Sequence, residues 1–339
     1  MLVLGIETSC DETALALVED GRKILGTQVA SSLPSHQKYG GIVPEIASRA
    51  HVELLTYELE ALLSSAKVDP SQLDRIAVTH GPGLAGSLVV GIAAAKALGI
   101  AWGKPVVGVN HLQAHLYAAC MENPTWVLDA PVVGLVISGG HTALIRMDGI
   151  RGKVQLLGQT RDDAVGEAFD KVAKLLGLKF PGGPEIEQIA RKGNAKAHRF
   201  TIPRIKSGSD FDFSLSGIKT AVLYKIRDWE KTQPLIPQFA ADLAASFQAS
   251  IVEEVVMKSV AACRRNRIPR LVVGGGVIAN QLLRQRLMEV CRDLSIEVAI
   301  PSMGLCTDNG AMVAGLGFHL DPVHPKTLTA IPNLRVELN

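Results

Sequence analysis

The chain has 339 residues, 47% hydrophobic and 20% charged, which excludes low-complexity disorder and supplies enough apolar material for packed cores. At about 150 residues per domain, this length implies roughly two domains. A net charge of +2, from 35 Lys+Arg against 33 Asp+Glu, neither marks nor forbids a nucleic-acid protein, because a local basic patch suffices.

Taken in chain order, Leu2–Ile6, Thr13–Val18 and Ile24–Ala30 read as three short strands, the last two separated by the turn Glu19-Asp20-Gly21. A helix is predicted over Pro44–Ser65, where Ile46, Ala50, Leu54, Leu55, Leu59, Leu62 and Leu63 recur at helical spacing. Strand Arg75–Thr79, a Gly-rich turn at His80–Gly86, a helix to about Trp102 and strand Pro105–Val109 follow. Gly81–Gly103 carries one charge, Lys96, and is long enough for a membrane span. Six glycines and Pro82 argue instead for a buried helix after a turn, so no membrane association is expected.

The same order then recurs. Val132–Ile137, Thr142–Met147 and Val154–Gly158 read as strands, and Asp163–Leu176 as a helix. Leu271–Val273, the turn Gly274-Gly275-Gly276, a helix over about Asn280–Arg292 and strand Glu297–Ile300 complete it. The chain therefore reads as α/β and duplicated, with lobes at 1–115 and 130–307 and a nucleotide cleft between them. An insertion occupies about 180–238, basic at first and helical around Gly217–Trp229. A final helix over about 308–320 and its tail are expected to pack back on the first lobe, with the tail from Asp321 lying on the surface. This is the plan of the actin/sugar kinase/heat-shock-70 superfamily, an actin-like ATPase fold.

Five cysteines without a CxxC pair read as reduced thiols, and Met1–Cys10 lacks a basic n-region and an unbroken apolar run. Both features point to the cytoplasm.

Four clusters carry candidate chemistry. In Asn110-His111-Leu-Gln-Ala-His115, a helix places the two imidazoles on one face with Cβ atoms roughly 5–6 Å apart, suited to one divalent metal. Leu112 stands where a zinc protease needs its glutamate, which disfavours that chemistry. Asp308 is the leading acidic third ligand, weighed against an ordinary helix N-cap. Two histidines and one carboxylate suit iron(II) or zinc. Secondly, Ser138-Gly139-Gly140 and Gly274-Gly275-Gly276 let backbone N–H groups approach a phosphate. Thirdly, Asp170, on a predicted helix, is placed to accept ribose hydroxyls, against an alternative as a charge partner of Lys174. Pro181-Gly182-Gly183-Pro184 is a tight turn. Finally, Glu7, Thr8, Ser9, Asp11 and Glu12 put three carboxylates into six residues, more than a turn requires.

Eight motifs in order resemble one family. They are Gly5-Ile-Glu-Thr-Ser-Cys-Asp-Glu-Thr13, Gly40-Gly-Ile-Val-Pro-Glu-Ile-Ala-Ser-Arg49, His111-x-x-x-His115, Ser138-Gly-Gly-His-Thr142, Gly166-Glu-Ala-Phe-Asp-Lys171, Pro181-Gly-Gly-Pro184, Phe213-Ser-Leu-Ser-Gly-Ile-Lys-Thr220 and Cys306-Thr-Asp-Asn-Gly-Ala-Met312. The sequence is similar over nearly its whole length to the TsaD/Gcp/YgjD family, the tRNA N6-adenosine threonylcarbamoyltransferases. It departs between the histidines, where many members have Met-Glu-Gly and this chain has Leu-Gln-Ala.

The resemblance implies transfer of a threonylcarbamoyl group from threonylcarbamoyl-AMP to N6 of adenosine 37 in tRNAs reading ANN codons, with release of AMP. It implies a metal at His111, His115 and Asp308, iron(II) before zinc. Adenylate or ATP/AMP binding falls on Val136, Ile137, Ser138, Gly139, Gly140, Asp170, Gly183, Asn280 and, more weakly, Glu187. Of these, Val136, Ile137, Asn280 and Glu187 come from the resemblance alone. Asp11 or Glu12 is the expected general base for the N6 proton. Implied partners are tRNA, a TsaB-like paralogue meeting the helix at 43–65, and a TsaE-like ATPase. Basic segments Arg191–Lys206 and Arg264, Arg265, Arg267, Arg270 are expected phosphate contacts. The rival readings are a small-molecule kinase and a nucleotide-dependent scaffold on the same fold.

Overall fold

The structure is a computed structural model and describes residues 1–123, 126, 130–202, 205, 208–234 and 236–337. The chain divides into two compact units, one of Met1–Ala130, Met147–Gln155 and Pro301–Asn339, the other of Pro131–Arg146 and Leu156–Ile300.

The first sheet is built from β1 (Leu2–Glu7), β2 (Glu12–Glu19), β3 (Lys23–Ser31), β4 (Arg75–Gly81) and β5 (Val106–Asn110), in the order β3-β2-β1-β4-β5. β1 and β2 pair antiparallel, as do β2 and β3, whereas β4 lies parallel to both β1 and β5. The central strands are buried on both faces, as parallel strands covered by helices must be. The short helix α1 (Leu33–His36) precedes α2 (Pro44–Ala66), α3 (Ala85–Trp102) and α4 (His111–Met121). Leu55, Leu59 and Leu62 of α2 pack with Leu4, Leu15, Leu17, Ile76 and Val78 of the sheet. α3 is long and apolar enough to cross a membrane, but it is part of this layer. A side chain at Gly91 would collide with Thr8, and one at Gly99 with Val106. Only one side of α3 is buried, however. Val89 and Ile100 stand 55% and 74% exposed, so the expectation of a buried helix holds for only a third of its residues.

The second sheet repeats this topology: β6 (Val132–Ile137), β7 (Thr142–Met147), β8 (Val154–Gln159), β9 (Arg270–Gly274) and β10 (Glu297–Ala299) lie in the order β10-β9-β6-β7-β8. Its helices are α5 (Val165–Leu175), α6 (Gly182–Ala190), α7 (Ser216–Glu230), α8 (Pro237–Asn266) and α9 (Gln281–Asp293). The 30-residue α8 is absent from the sequence reading, and it precedes β9 as α2 precedes β4. Six consecutive residues, Leu243–Gln248, are all buried, so no single apolar stripe marks the first half of the helix, whereas Ile251, Val252, Val255, Val256, Ser259 and Val260 are buried at helical spacing in the second. Pro181-Gly-Gly-Pro184 opens α6 rather than forming a free turn.

Helix α10 (Gly310–His319) returns to the first sheet. A side chain at Gly5 would meet the Gly310 carbonyl and the Ala314 nitrogen, and one at Gly310 would meet the Leu15–Ala16 backbone. Two glycines thus let the start of α10 lie directly on β1 and β2. The tail beyond it is not a surface segment throughout: Leu328, Leu334 and Val336 are buried. Ile331 N–H donates to the His80 carbonyl at 2.8 Å, and Gln113 Nε2 donates to the Val336 carbonyl at 2.8 Å.

Candidate active site

Three elements of the first unit bring the carboxylates and imidazoles together. β5 ends at Asn110, whose Oδ1 accepts the N–H groups of Leu112 and Gln113 and so starts α4 at His111. His111 and His115 lie one turn apart, buried, with ring centroids 4.6 Å apart. Asp308 does not cap α10. Asn309 does, accepting Met312 N–H at 2.8 Å, and this leaves the Asp308 carboxylate for the histidines. Asp308 Oδ1 is 3.1 Å from His115 Nε2 and 3.6 Å from His111 Nε2.

One donor atom from each of His111, His115 and Asp308 falls in a cluster spanning at most 4.8 Å. Both ring nitrogens of His115 are buried without a hydrogen bond. Buried polar atoms are rarely left so, and an Nε2 aimed at a carboxylate oxygen without hydrogen-bond geometry suits a shared cation. The donor set therefore fits a divalent metal.

The electrostatics agree. Burial disfavours a charged His111, but Asp308 and Glu7 outweigh it and hold the imidazole near 9. Burial likewise opposes the Glu7 charge, and His111 more than offsets it, so Glu7 sits below the usual carboxylate range. Glu12 is pushed up to about 9 by burial and then by Asp308, Asp11 and Glu7. Burial first, then Asp308, raises Asp11. Four carboxylates around two imidazoles make a site that calls for positive charge.

The second unit gathers the predicted adenylate residues in a ring of its own. The turn after β6 is held by Ser138 N–H to the His141 carbonyl at 2.8 Å and by Gly166 N–H to the Ser138 carbonyl at 3.2 Å. Gly275, at φ +99°, lies so close over Ile137 that only glycine fits. Asp170 Oδ1 accepts Gly182 N–H at 2.6 Å, joining α5 to α6. Glu187 Oε1 accepts Gln281 N–H at 3.3 Å, joining α6 to α9. Asn280 caps α9 through its Oδ1 and donates from Nδ2 to Gln248 Oε1 at 2.9 Å. Gln248 was missed because α8 itself was missed.

Gly139, Gly140 and Gly183 have open space where a Cβ would stand and do not need positive φ. Neither packing nor backbone conformation requires glycine there, and the same holds at Gly41, Gly217 and Gly304. Burial raises the Asp170 carboxyl to about 6.

A family model described as TsaD, tRNA N6-adenosine threonylcarbamoyltransferase, matches residues 23–315. A Dictyoglomus turgidum protein named tRNA N6-adenosine threonylcarbamoyltransferase is 49% identical over 322 residues, covering 94% of this chain and 93% of that protein. This chain belongs to the tRNA N6-adenosine threonylcarbamoyltransferase family. It is a transferase that forms N6-threonylcarbamoyladenosine in tRNA. Among solved structures, T. kodakarensis HypF matches at 15% identity and a TM-score of 0.61, over 94% of this chain and 47% of that one. Component A of the Acidaminococcus fermentans (R)-2-hydroxyglutaryl-CoA dehydratase matches at 14% and 0.53, over 94% and 98%. These neighbours place the threonylcarbamoyltransferase in the actin-like ATPase fold. The family is metal-dependent, and among the described residues His111, His115 and Asp308 form a group that could hold a metal ion.

Proposed function

We propose that the donor is threonylcarbamoyl-AMP, made elsewhere from threonine, bicarbonate and ATP, and that the acceptor is N6 of adenosine 37 in tRNAs reading ANN codons. The N6 nitrogen bonds to the carbamoyl carbon, the bond from that carbon to the phosphate oxygen breaks, and AMP leaves. The observation that carries this reading is the open space over Gly139, Gly140 and Gly183 in a chain that also assembles His111, His115 and Asp308. A kinase on the same fold would have no use for the histidine pair.

The adenylate is assigned to Val136, Ile137, Ser138, Gly139, Gly140, Asp170, Gly183, Glu187 and Asn280, with Asp170 accepting ribose hydroxyls. A bound divalent metal, iron(II) before zinc, supplies a Lewis acid that polarises the carbonyl or orients the adenylate. Asp11 or Glu12, side by side at the start of β2 and both raised by burial and by the neighbouring carboxylates, accepts the N6 proton.

Adenosine 37 lies in a loop, so its base can leave the stack without breaking a duplex pair. Arg191, Lys192, Lys196 and Arg199 offer exposed or half-exposed charge for the backbone, although Arg191 already pairs with Glu187 at 3.2 Å. Arg204 and Lys206 lie outside the described residues. Of the second cluster, Arg265 pairs with Asp210 and Arg270 reaches Glu297 at 3.8 Å, so Arg264 and Arg267 are the better contacts. A TsaB-like paralogue is assigned to the α2 face, where Val52 and Tyr57 are 65% and 72% exposed, and a TsaE-like ATPase completes the system. Five free cysteines fit the cytoplasm.

The test is reconstitution. Protein, its partners, threonylcarbamoyl-AMP and unmodified tRNA should yield AMP and modified tRNA in equal amounts. Chelation should abolish both, and iron(II) should restore them better than zinc. Product formation unaffected by chelation and by His115→Ala would contradict the metal assignment.

A further inference from the structure

Glu7 is fully buried at the end of β1, and its carboxylate accepts from Ser9 and Thr79 and lies beside His111. Ser9 N–H donates to Oε1 at 2.5 Å, Thr79 Oγ1–H donates to Oε2 at 2.5 Å, and His111 Nδ1 lies 3.2 Å from Oε2. Ser9 Oγ is also 3.2 Å from His111 Nδ1. An acceptor-only group on that side of the ring requires Nδ1 to carry a proton. Nε2, on the far side, is then the atom facing Asp308, 3.6 Å away.

We propose that Glu7 is a positioning residue of the metal centre: its carboxylate holds the Nδ1 proton of His111 and thereby presents Nε2 as the lone-pair donor to a divalent cation. The proposal rests on the assignment of His111, His115 and Asp308 as ligands. Carboxylates behind ligating histidines fix the tautomer and ring orientation and raise ligand basicity. Here the carboxylate is held in turn: Thr79, on β4, and Ser9, in the turn after β1, both donate to it. His115 has no such partner, since its Nδ1 is buried without a hydrogen bond, so the two histidines are unequal ligands. Glu7→Gln tests this well. An amide must offer either its NH2 or its oxygen to each side, so it cannot accept from Ser9 N–H on one side and from Thr79 and His111 on the other.

The experiment titrates cobalt(II) into the full-length protein, following the d–d absorption bands, with zinc(II) competition for affinity and thermal melting as the fold control. Wild type should bind one ion. Glu7→Gln should melt cooperatively, bind 10–100-fold more weakly and show altered d–d bands. Thr79→Val should shift affinity in the same direction by a smaller factor, and it decides the matter if Glu7→Gln does not fold. Affinity within twofold of wild type and unchanged bands in the folded variants would overturn the role of Glu7. Failure of the wild type to bind, or equal binding by His115→Ala, would instead remove the ligand assignment beneath it.

Discussion

Asp170 joins α5 to α6 and is the residue proposed to meet the ribose. Its buried carboxyl is raised to about 6, and the Gly182 N–H is not enough to bring it down. A folded pKa above the unfolded value of about 3.8 means that the native state binds the proton more tightly between those limits. Stability therefore falls as pH rises through that window, and the ionised group at pH 7 costs at most about 3 kcal/mol. On the proposed assignment, ribose hydroxyls donate to the ionised form, so AMP affinity should fall as pH drops below about 6. Calorimetry of AMP binding from pH 5 to 8 should show that inflection in wild type and not in Asp170→Asn, which should bind more weakly at pH 7 and melt higher. At this scale the sequence was informative: His111, His115 and Asp308 were legible from spacing and motif. The capping role weighed for Asp308 fell to Asn309, because only Asn309 stands where its side chain reaches Met312 N–H.

Elements meet through two kinds of glycine, and substitutions separate them. Gly5→Ala drives a methyl into the backbone of α10, which cannot give as a flexible side chain would. The expected cost is about 1–3 kcal/mol or more, together with weaker metal binding, because the start of α10 sets Asp308. Gly139→Ala and Gly183→Ala meet nothing in the protein, so melting should change by less than about 0.5 kcal/mol while AMP affinity drops at least tenfold. Unchanged affinity would move the nucleotide elsewhere. Strands and amphipathic helices were readable because one face of each is apolar. The first half of α8 was not, because burial all round Leu243–Gln248 removes the 3.6-residue contrast that periodicity detects; the second half does carry that contrast, in Ile251, Val252, Val255, Val256 and Val260. The tail was misread for a related reason. Its prolines mark irregular backbone, and irregular backbone can still bury Leu328, Leu334 and Val336. Removing residues 329–339 should lower the melting temperature by several degrees, and it should weaken metal binding too, since Gln113 Nε2 and Asn110 Nδ2 of the histidine-bearing segment donate to Val336 and Arg335 carbonyls.

At the scale of the molecule, both sheets carry the same strand order, and the duplication was visible in the sequence as a repeated order of short strands, glycine turns and helices. Each copy has been put to a different use. The first gathers histidines and carboxylates with little glycine at the chemistry, and the second gathers glycine turns and Asp170, whose carboxyl is raised to about 6. In the proposed function, what joins these uses is the reaction, which needs an adenylate held in place and a carbonyl made electrophilic. The most direct measurement is the amount of N6-threonylcarbamoyladenosine in total tRNA digests, by mass spectrometry, from cells depleted of this protein. The nucleoside should disappear on depletion, return with the wild-type chain and stay absent with a His111→Ala chain expressed at the same level. Unchanged nucleoside on depletion, or full restoration by His111→Ala, would contradict the account.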